Sequence, residues 1–175
     1  MSNKHLENIL KIANKYVDED ISIVPIKIKQ KELNYKSLRE VISSKGFNLA
    51  TIIPYLDRLP TNAELTAWFS SKENTIAIVT GYKDTICIDF DDKESFETWK
   101  NEYPDVFQNT PVQKTFRGYH VFLKTKAKID TSKASFKGKI IGDIEGYRDF
   151  VIVYPSIHPS GVMYEWLKDH EPWKK

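Results

Sequence analysis

Apolar residues recur at helical spacing near the start of the chain and alternate with polar residues further on. HLENILKIANKY has apolar positions three and four residues apart, which predicts an amphipathic opening helix. ISIVPIKI then predicts a strand, in which Pro25 favours an edge or strand-end position. Residues 29–59 indicate only a short helix around Ser37 to Ile42 followed by loop. In TNAELTAWF, Thr61 and Glu64 have capping-box spacing, which predicts the start of another helix.

The second half of the chain is dominated by short alternating segments. TIAIVTG and TICIDFD predict two strands joined by the turn-like GYKD, and DKESFETWKNEY predicts a helix with Phe96 and Trp99 inward. After Pro104, five further strand-like segments follow between turns rich in Gly, Asp or Lys: VQKTF, YHVFLK, GKIIGDI, FVIVYP and YEWL. The predicted elements are helices and strands in the first half and mostly strands in the second. This order predicts an α+β fold, with residues 1–175 as a single domain.

Composition narrows the class of protein. The net charge of +2 and pI near 8.4 exclude a global polycation, so any basic surface must be local. A single cysteine, Cys87, excludes an internal disulfide and a multi-cysteine zinc site, and indicates a reducing cytoplasm. No apolar run approaches the roughly 18 residues of a membrane span, so no membrane partner is expected.

The stretch ICIDFDD places two acids on one face of a predicted strand. Asp89 and Asp91 would lie roughly 7 Å apart there, which is unfavourable unless something positive lies between them. Both acids could instead sit at a strand end, one capping the next helix and one in solvent. Asp92 is better placed for the cap, which leaves Asp89 without a structural role. Carboxylates in this pattern would suit Mg²⁺ or Mn²⁺.

TFRGYHVFLK combines a histidine with basic residues. A lone histidine on a strand, such as His120, is usually partly buried and hydrogen-bonded. Its neighbours favour a ligand: Gly118 allows close approach of a ligand to the backbone, and a local cationic cluster suits a triphosphate. The cluster consists of Lys114, Arg117 and Lys124.

A third acid and a rigid loop follow. Asp143 interrupts an apolar strand in IIGDIEG, or else is a turn residue before Gly146. Beyond it, PSIHPSG predicts a rigid, hydroxyl-rich loop between two strands. Three acids on strands, a histidine beside basic residues and such a loop are the set that two-metal nucleotidyl transfer requires.

Taken in order, several segments resemble the primase–polymerase (prim-pol) branch of the archaeo-eukaryotic primase superfamily, found in plasmid, phage and other mobile-element replication proteins. They are SIVPIK, AELTAWFSSKENTIAIVTG, ICIDFDD, RGYHVFLK and GDIEGYRDFVIVYPSIHPSGVMYEW. The resemblance implies an N-terminal α/β unit packed with an RRM-like antiparallel sheet, with the active site in the cleft between them.

The resemblance also implies roles for individual residues. Asp89, Asp91 and Asp143 would be the catalytic acids and the ligands of a two-metal Mg²⁺ or Mn²⁺ site. His120 would contact the phosphates of the incoming nucleotide, and Ser156 and His158 would lie in the loop that borders its site.

The chain departs from relatives at several positions. It carries Glu145 where relatives often have arginine, and Arg148 and Asp149 where they often have a glycine pair. Arg148 is therefore a candidate to supply the missing positive charge to the nucleotide. The zinc element of some relatives cannot be built from one cysteine.

The preferred interpretation is a DNA-dependent primase and polymerase that makes or extends primers on single-stranded DNA from dNTPs or NTPs. A helicase domain or other replication partner, in a longer replication protein, is expected by analogy with relatives. The alternatives are a non-catalytic nucleic-acid-binding module of the same fold and a metal-dependent nuclease. The lysine-rich KIDTSKASFKGK is interpreted as a solvated loop in preference to a template contact.

Overall fold

The computed structural model describes residues 3–43 and 51–173. Five α-helices are present in this part of the chain: α1 Asn3–Asp18, α2 Tyr35–Ser43, α3 Asn62–Phe69, α4 Lys93–Glu102 and α5 Pro104–Gln108. The strands are β1 Ile23–Lys27, β2 Asn74–Thr80, β3 Thr85–Phe90, β4 Val112–Lys114, β5 Tyr119–Lys124, β6 Ser132–Phe136, β7 Lys139–Glu145, β8 Asp149–Ile152 and β9 Glu165–Trp166. Helices beside antiparallel sheets confirm the predicted α+β class.

The first sheet has three strands in the order β1-β2-β8. Strand β1 lies at its edge, as Pro25 predicted, because proline has no backbone N–H to donate to a neighbouring strand. The sheet contacts α1 and α3, and the larger hydrophobic core lies here, around fully buried Tyr16, Trp68 and Ile76. Strand β8 comes from the second half of the chain, so this sheet is not built from the N-terminal half alone.

The second sheet has six strands in the order β6-β7-β3-β5-β4-β9. One face packs on α4, where Phe90 contacts Phe96 and Trp99 in a second core. On the opposite face, Cys87 and Phe122 join the larger core. The two sheets thus meet over one end of this face, and the remainder is available for polar side chains.

Two predicted helix starts are present. The Glu64 N–H donates to the Thr61 hydroxyl, and the Thr61 N–H donates to the Glu64 carboxylate, which completes the capping box. Asp92 caps α4 by accepting from the Ser95 N–H at 2.7 Å. That contact leaves Asp89 and Asp91 free of a capping role, as predicted.

Other elements differ from the sequence interpretation. KIDTSKASFKGK is not a loop throughout, because it contains β6, which pairs with β7 at the edge of the larger sheet. In β6, Ala134 is buried and Phe136 packs against the second core, whereas Ser132, Lys133 and Ser135 are exposed, so only two apolar residues mark the strand. Strands β2 and β3 follow each other but enter different sheets. Residues 44–50 of the predicted loop lie outside the described residues.

Candidate active site

A single row of cross-strand neighbours crosses the open face of the larger sheet. In register, His120 of β5 lies opposite Asp89 of β3, and Asp89 lies opposite Asp143 of β7. The row continues to Gln113 of β4 at one end and Lys133 of β6 at the other. Directly opposed residues project from the same face of a sheet. The fold therefore brings together the histidine and two of the acids predicted from the sequence.

Asp91 joins this face because it is two residues beyond Asp89, although it lies just past the end of β3. Phe90, between the two acids, points the other way and is buried against α4. The alternation in ICIDFDD thus separates an apolar side from an acidic side of one strand.

Two glycines allow the neighbouring backbone to approach β3 at the acids. A Cβ atom on Gly118 would lie 1.7 Å from the Phe90 carbonyl oxygen, and one on Gly142 would lie 1.8 Å from that of Asp89. The sequence suggested that Gly118 allows a ligand to approach the backbone. It lines the cavity, but the close approach that demands glycine is to the protein's own strand.

Positive or polar partners already lie beside two of the acids. His120 Nε2 is 3.3 Å from the Asp89 Oδ1 atom. The Lys133 ammonium lies 2.7 Å from Asp143 Oδ1 and 3.0 Å from Oδ2. Lys133 comes from the segment interpreted as a solvated loop, where the alternation of Ala134 and Phe136 with polar residues was the available, weak signal for a strand.

A polar cavity of about 280 Å³ opens over the acids. Its acidic wall consists of Asp89, Asp91, Asp143 and Glu145. The same cavity is lined by the cationic side chains of Lys31 and Arg117 and by the imidazoles of His120 and His158. An adjoining cavity of about 210 Å³ shares Asp89 and His120 and reaches Ile152 of β8, so it lies between the two sheets. Opposite charges across one cavity suit a ligand that carries both anionic groups and cations.

The cationic side of the cavity also has an aromatic surface. The pKa of His158 is lowered by partial burial and by the nearby charges of Lys31 and Arg117. Its ring stacks on Phe116, with the ring centres 5.1 Å apart and the planes 16° from parallel. Phe116 is 49% exposed. The stack is therefore an accessible flat apolar surface beside positive charge.

On the acidic side, burial and neighbouring carboxylates raise pKa values. Burial, the charge and hydrogen bond of Asp149, and the charges of Asp89 and Asp143 raise the pKa of Glu145 to about 7. Burial and the charge of Asp89 raise the pKa of Tyr164 to about 12. Excess negative charge on this wall favours the uptake of protons or cations.

Four residues expected at the site lie elsewhere. Lys124 of the predicted cationic cluster lines a separate, apolar cavity beside Ile21. Lys114 is opposite Tyr119, whose ring stacks on Phe96 on the helix side of the sheet, so Lys114 projects away from the acids. Ser156 is buried and hydrogen-bonds Thr75 and the Ile76 carbonyl, which is a structural role. Lys114 is one position beyond Gln113 on β4, and successive side chains on a strand point to opposite faces.

Arg148 is also separate from the acids. It packs over the Tyr147 ring at 5.2 Å and lines a different cavity, near Tyr35 and Ile53. Besides the predicted Arg117, the positive charge in the cavity of the acids comes from Lys31, in the turn after β1. Lys31 is one of several lysines in KIKQKEL, and nothing in that run distinguishes it.

The carboxylates suit Mg²⁺ or Mn²⁺ in type and share one cavity. Within residues 3–43 and 51–173, however, no three His, Cys, Asp or Glu side chains converge closely enough to hold a metal ion. Asp143 is held by Lys133. Binding of a cation by all three acids therefore requires Asp143 to exchange its lysine partner.

Within residues 3–43 and 51–173, no helix is long and apolar enough to cross a membrane.

Comparison with known proteins identifies one family. The family model described as "Bifunctional DNA primase/polymerase, N-terminal" (Prim-Pol) matches residues 13–175, which is nearly the whole chain. No curated protein matches the sequence.

Proposed function

Because the chain belongs to the Prim-Pol family of bifunctional DNA primase/polymerase domains, we propose that it is a template-directed nucleotidyltransferase. In this reaction, the 3′-oxygen of a growing strand attacks the α-phosphorus of a nucleoside triphosphate, and pyrophosphate leaves. The template would be single-stranded DNA, and dNTPs or NTPs would be the substrates. The charge distribution in the polar cavity carries the proposal: the acids of β3 and β7 share it with the cationic side chains of Lys31 and Arg117.

The acids supply the metal-binding half of the proposed site. Asp89, Asp91 and Asp143 would hold Mg²⁺ or Mn²⁺, which when bound stabilises the charge on the attacking and leaving oxygens. Asp89 and Asp143 are register partners on adjacent strands, and Asp91 is two residues along. The paired strands would hold Asp89 and Asp143 in a constant relation during successive additions, with Asp91 directly after β3.

The basic residues of the cavity supply the phosphate-binding half. Lys31 and Arg117 would neutralise the triphosphate, since both line the same cavity as the acids. The Phe116–His158 stack would provide a flat surface for a nucleobase, because bases stack on aromatic rings without sequence preference. Together these residues would orient the triphosphate relative to the acids.

Nucleotide incorporation on a single-stranded DNA template tests the proposal. The wild type, Asp89→Asn and the control Asp105→Asn, an exposed acid on α5, would be compared with labelled dNTPs or NTPs and Mg²⁺ or Mn²⁺. We expect metal-dependent products from the wild type and the control, and none from Asp89→Asn. Products without a primer would add primase activity.

Two other outcomes would overturn the proposal. DNA binding without products under any of these conditions would indicate a non-catalytic module. Cleavage of the DNA without added triphosphates would indicate a nuclease that uses the same acids.

A further inference from the structure

A fully buried glutamine behind His120 connects the two sheets. Gln113 of β4 has no solvent exposure. Its Nε2 atom lies 2.7 Å from His120 Nδ1 and 2.7 Å from the Ile152 carbonyl oxygen of β8. Its Oε1 atom accepts from the Tyr154 N–H at 3.1 Å. None of the sequence motifs described above includes Gln113.

These contacts determine which way the amide points. In the observed orientation, the two hydrogens of the NH₂ group serve two acceptors, and the oxygen serves one donor. The reverse orientation would place the amide oxygen against the Ile152 carbonyl and the NH₂ group against the Tyr154 N–H. The buried Ile152 carbonyl and the partly buried Tyr154 N–H would then lose their partners, which is unfavourable. The NH₂ group therefore faces His120.

The orientation of the amide in turn determines the tautomer of His120. An NH₂ group can only donate, so His120 Nδ1 must accept and carries no hydrogen. In the neutral ring, the hydrogen is then on Nε2. That atom points to the cleft, 3.3 Å from Asp89. The Tyr164 ring lies parallel to within 30° at 5.8 Å and limits rotation of the imidazole.

We propose that Gln113 is a positioning residue that holds His120 as the Nε2–H tautomer, so that the imidazole presents an N–H donor to phosphate oxygens of a nucleoside triphosphate. The identity of the acceptor rests on the proposed function, whereas the tautomer does not. The opposite tautomer would turn the Nε2 lone pair toward the Asp89 carboxylate and any phosphate, both of which are acceptors. Without ligand, Nε2 lies 3.3 Å from the Asp89 Oδ1 atom.

The tautomer can be measured directly in the unmodified protein. In protein labelled with ¹⁵N-histidine, the ring nitrogens of His120 are assigned by their absence from the His120→Gln spectrum. We expect an unprotonated Nδ1 and a protonated Nε2. A protonated Nδ1 in the neutral ring, or averaging between tautomers, would overturn the proposal whatever any variant does.

The variant Gln113→Glu tests the positioning role. Its carboxyl group keeps the bond from the Tyr154 N–H but has at most one hydrogen, which the Ile152 carbonyl takes, so His120 should change to the Nδ1–H tautomer. The exposed Gln108→Glu, at the end of α5, adds the same charge and should leave the spectrum unchanged. An unchanged tautomer in folded Gln113→Glu would refute the role of Gln113.

Binding of dATP with Mg²⁺, measured by titration calorimetry, tests the acceptor. We expect about 10-fold weaker binding or more in Gln113→Glu, because a hydrogen bond to a charged phosphate is lost. A reversed tautomer with unchanged dATP affinity would refute the phosphate contact. If the wild type neither binds dATP nor extends primers, the proposed function fails, but the measured tautomer still decides the role of Gln113.

Discussion

Glu64 is a buried carboxylate whose removal should destabilise the N-terminal half by a predictable amount. Its side chain has no solvent exposure and accepts two hydrogen bonds from Arg58, at 2.7 and 2.8 Å. It also accepts from the Thr61 N–H and hydroxyl and from the Tyr55 hydroxyl. These bonds join α3 to the preceding 3-10 turn at Ile53–Leu56.

The magnitude follows from the pKa. Burial alone would raise the pKa of Glu64, but the bonds from Arg58 and Thr61 outweigh it and lower the pKa from 4.5 to about 2. At about 1.4 kcal/mol for each pH unit, this corresponds to about 3 kcal/mol near neutral pH. Arg58 keeps 38% exposure, so solvent screens part of the ion pair and about 2–3 kcal/mol is expected.

The pH dependence has a definite sign. A carboxylate with a lowered pKa stabilises the folded state above its unfolded pKa, and this stabilisation is lost as the pH falls toward the folded pKa. Glu64→Gln removes the titrating group. Urea unfolding should therefore show the wild type more stable by about 2–3 kcal/mol at pH 7, with a gap about 1 kcal/mol smaller at pH 3.5.

The exposed Glu73→Gln serves as a control and should change stability by less than about 0.5 kcal/mol. A wild-type advantage over Glu64→Gln below about 1 kcal/mol at pH 7 would refute the reasoning. So would an advantage that does not shrink between pH 7 and pH 3.5.

Three further predictions concern the site. Gly118→Ala should lower the free energy of unfolding by about 2 kcal/mol or more, because its Cβ would overlap the Phe90 carbonyl. Both the melting temperature and nucleotide incorporation should fall, and unchanged values would contradict this. Lys133→Met should bind Mn²⁺ more tightly in calorimetry, because Asp143 loses its ion pair; equal or weaker binding would contradict it. Phe116→Ala should weaken binding of a single-stranded oligonucleotide or nucleotide about 10-fold, measured by fluorescence anisotropy; full affinity would exclude stacking on this ring.

The acidic strand was readable from the sequence because its pattern is local. In ICIDFDD, every second residue is apolar, so Asp89 and Asp91 had to share the other face once the segment formed a strand. His120 and Asp143 stood out as polar residues in apolar strands. Their alignment beside Asp89 depends on the register of β3 with β5 and β7, which no local pattern specifies.

The roles of residues whose partners are distant in the chain could not be predicted from the sequence. Gln113 becomes important only because β8 brings Ile152 and Tyr154 against it, some 40 residues along the chain. Lys31 reaches the cavity from a turn after β1, far in sequence from every acid. The prediction that Lys114 lies at the site was wrong for the opposite reason. Lys114 is close to His120 in sequence, but strand alternation turns its side chain to the helix side of the sheet.

The placement of β8 has a consequence for the order in which the molecule can fold during synthesis. Ala77 of β2 pairs with Ile152, so the first sheet remains two-stranded until that residue has left the ribosome. A nascent chain that ends at residue 145 would contain every acid of the candidate site, yet β2 would present an open edge of apolar residues. Such an intermediate is prone to aggregation and is a natural substrate for chaperones. The acids would thus be present on the nascent chain before the sheet that encloses them is complete.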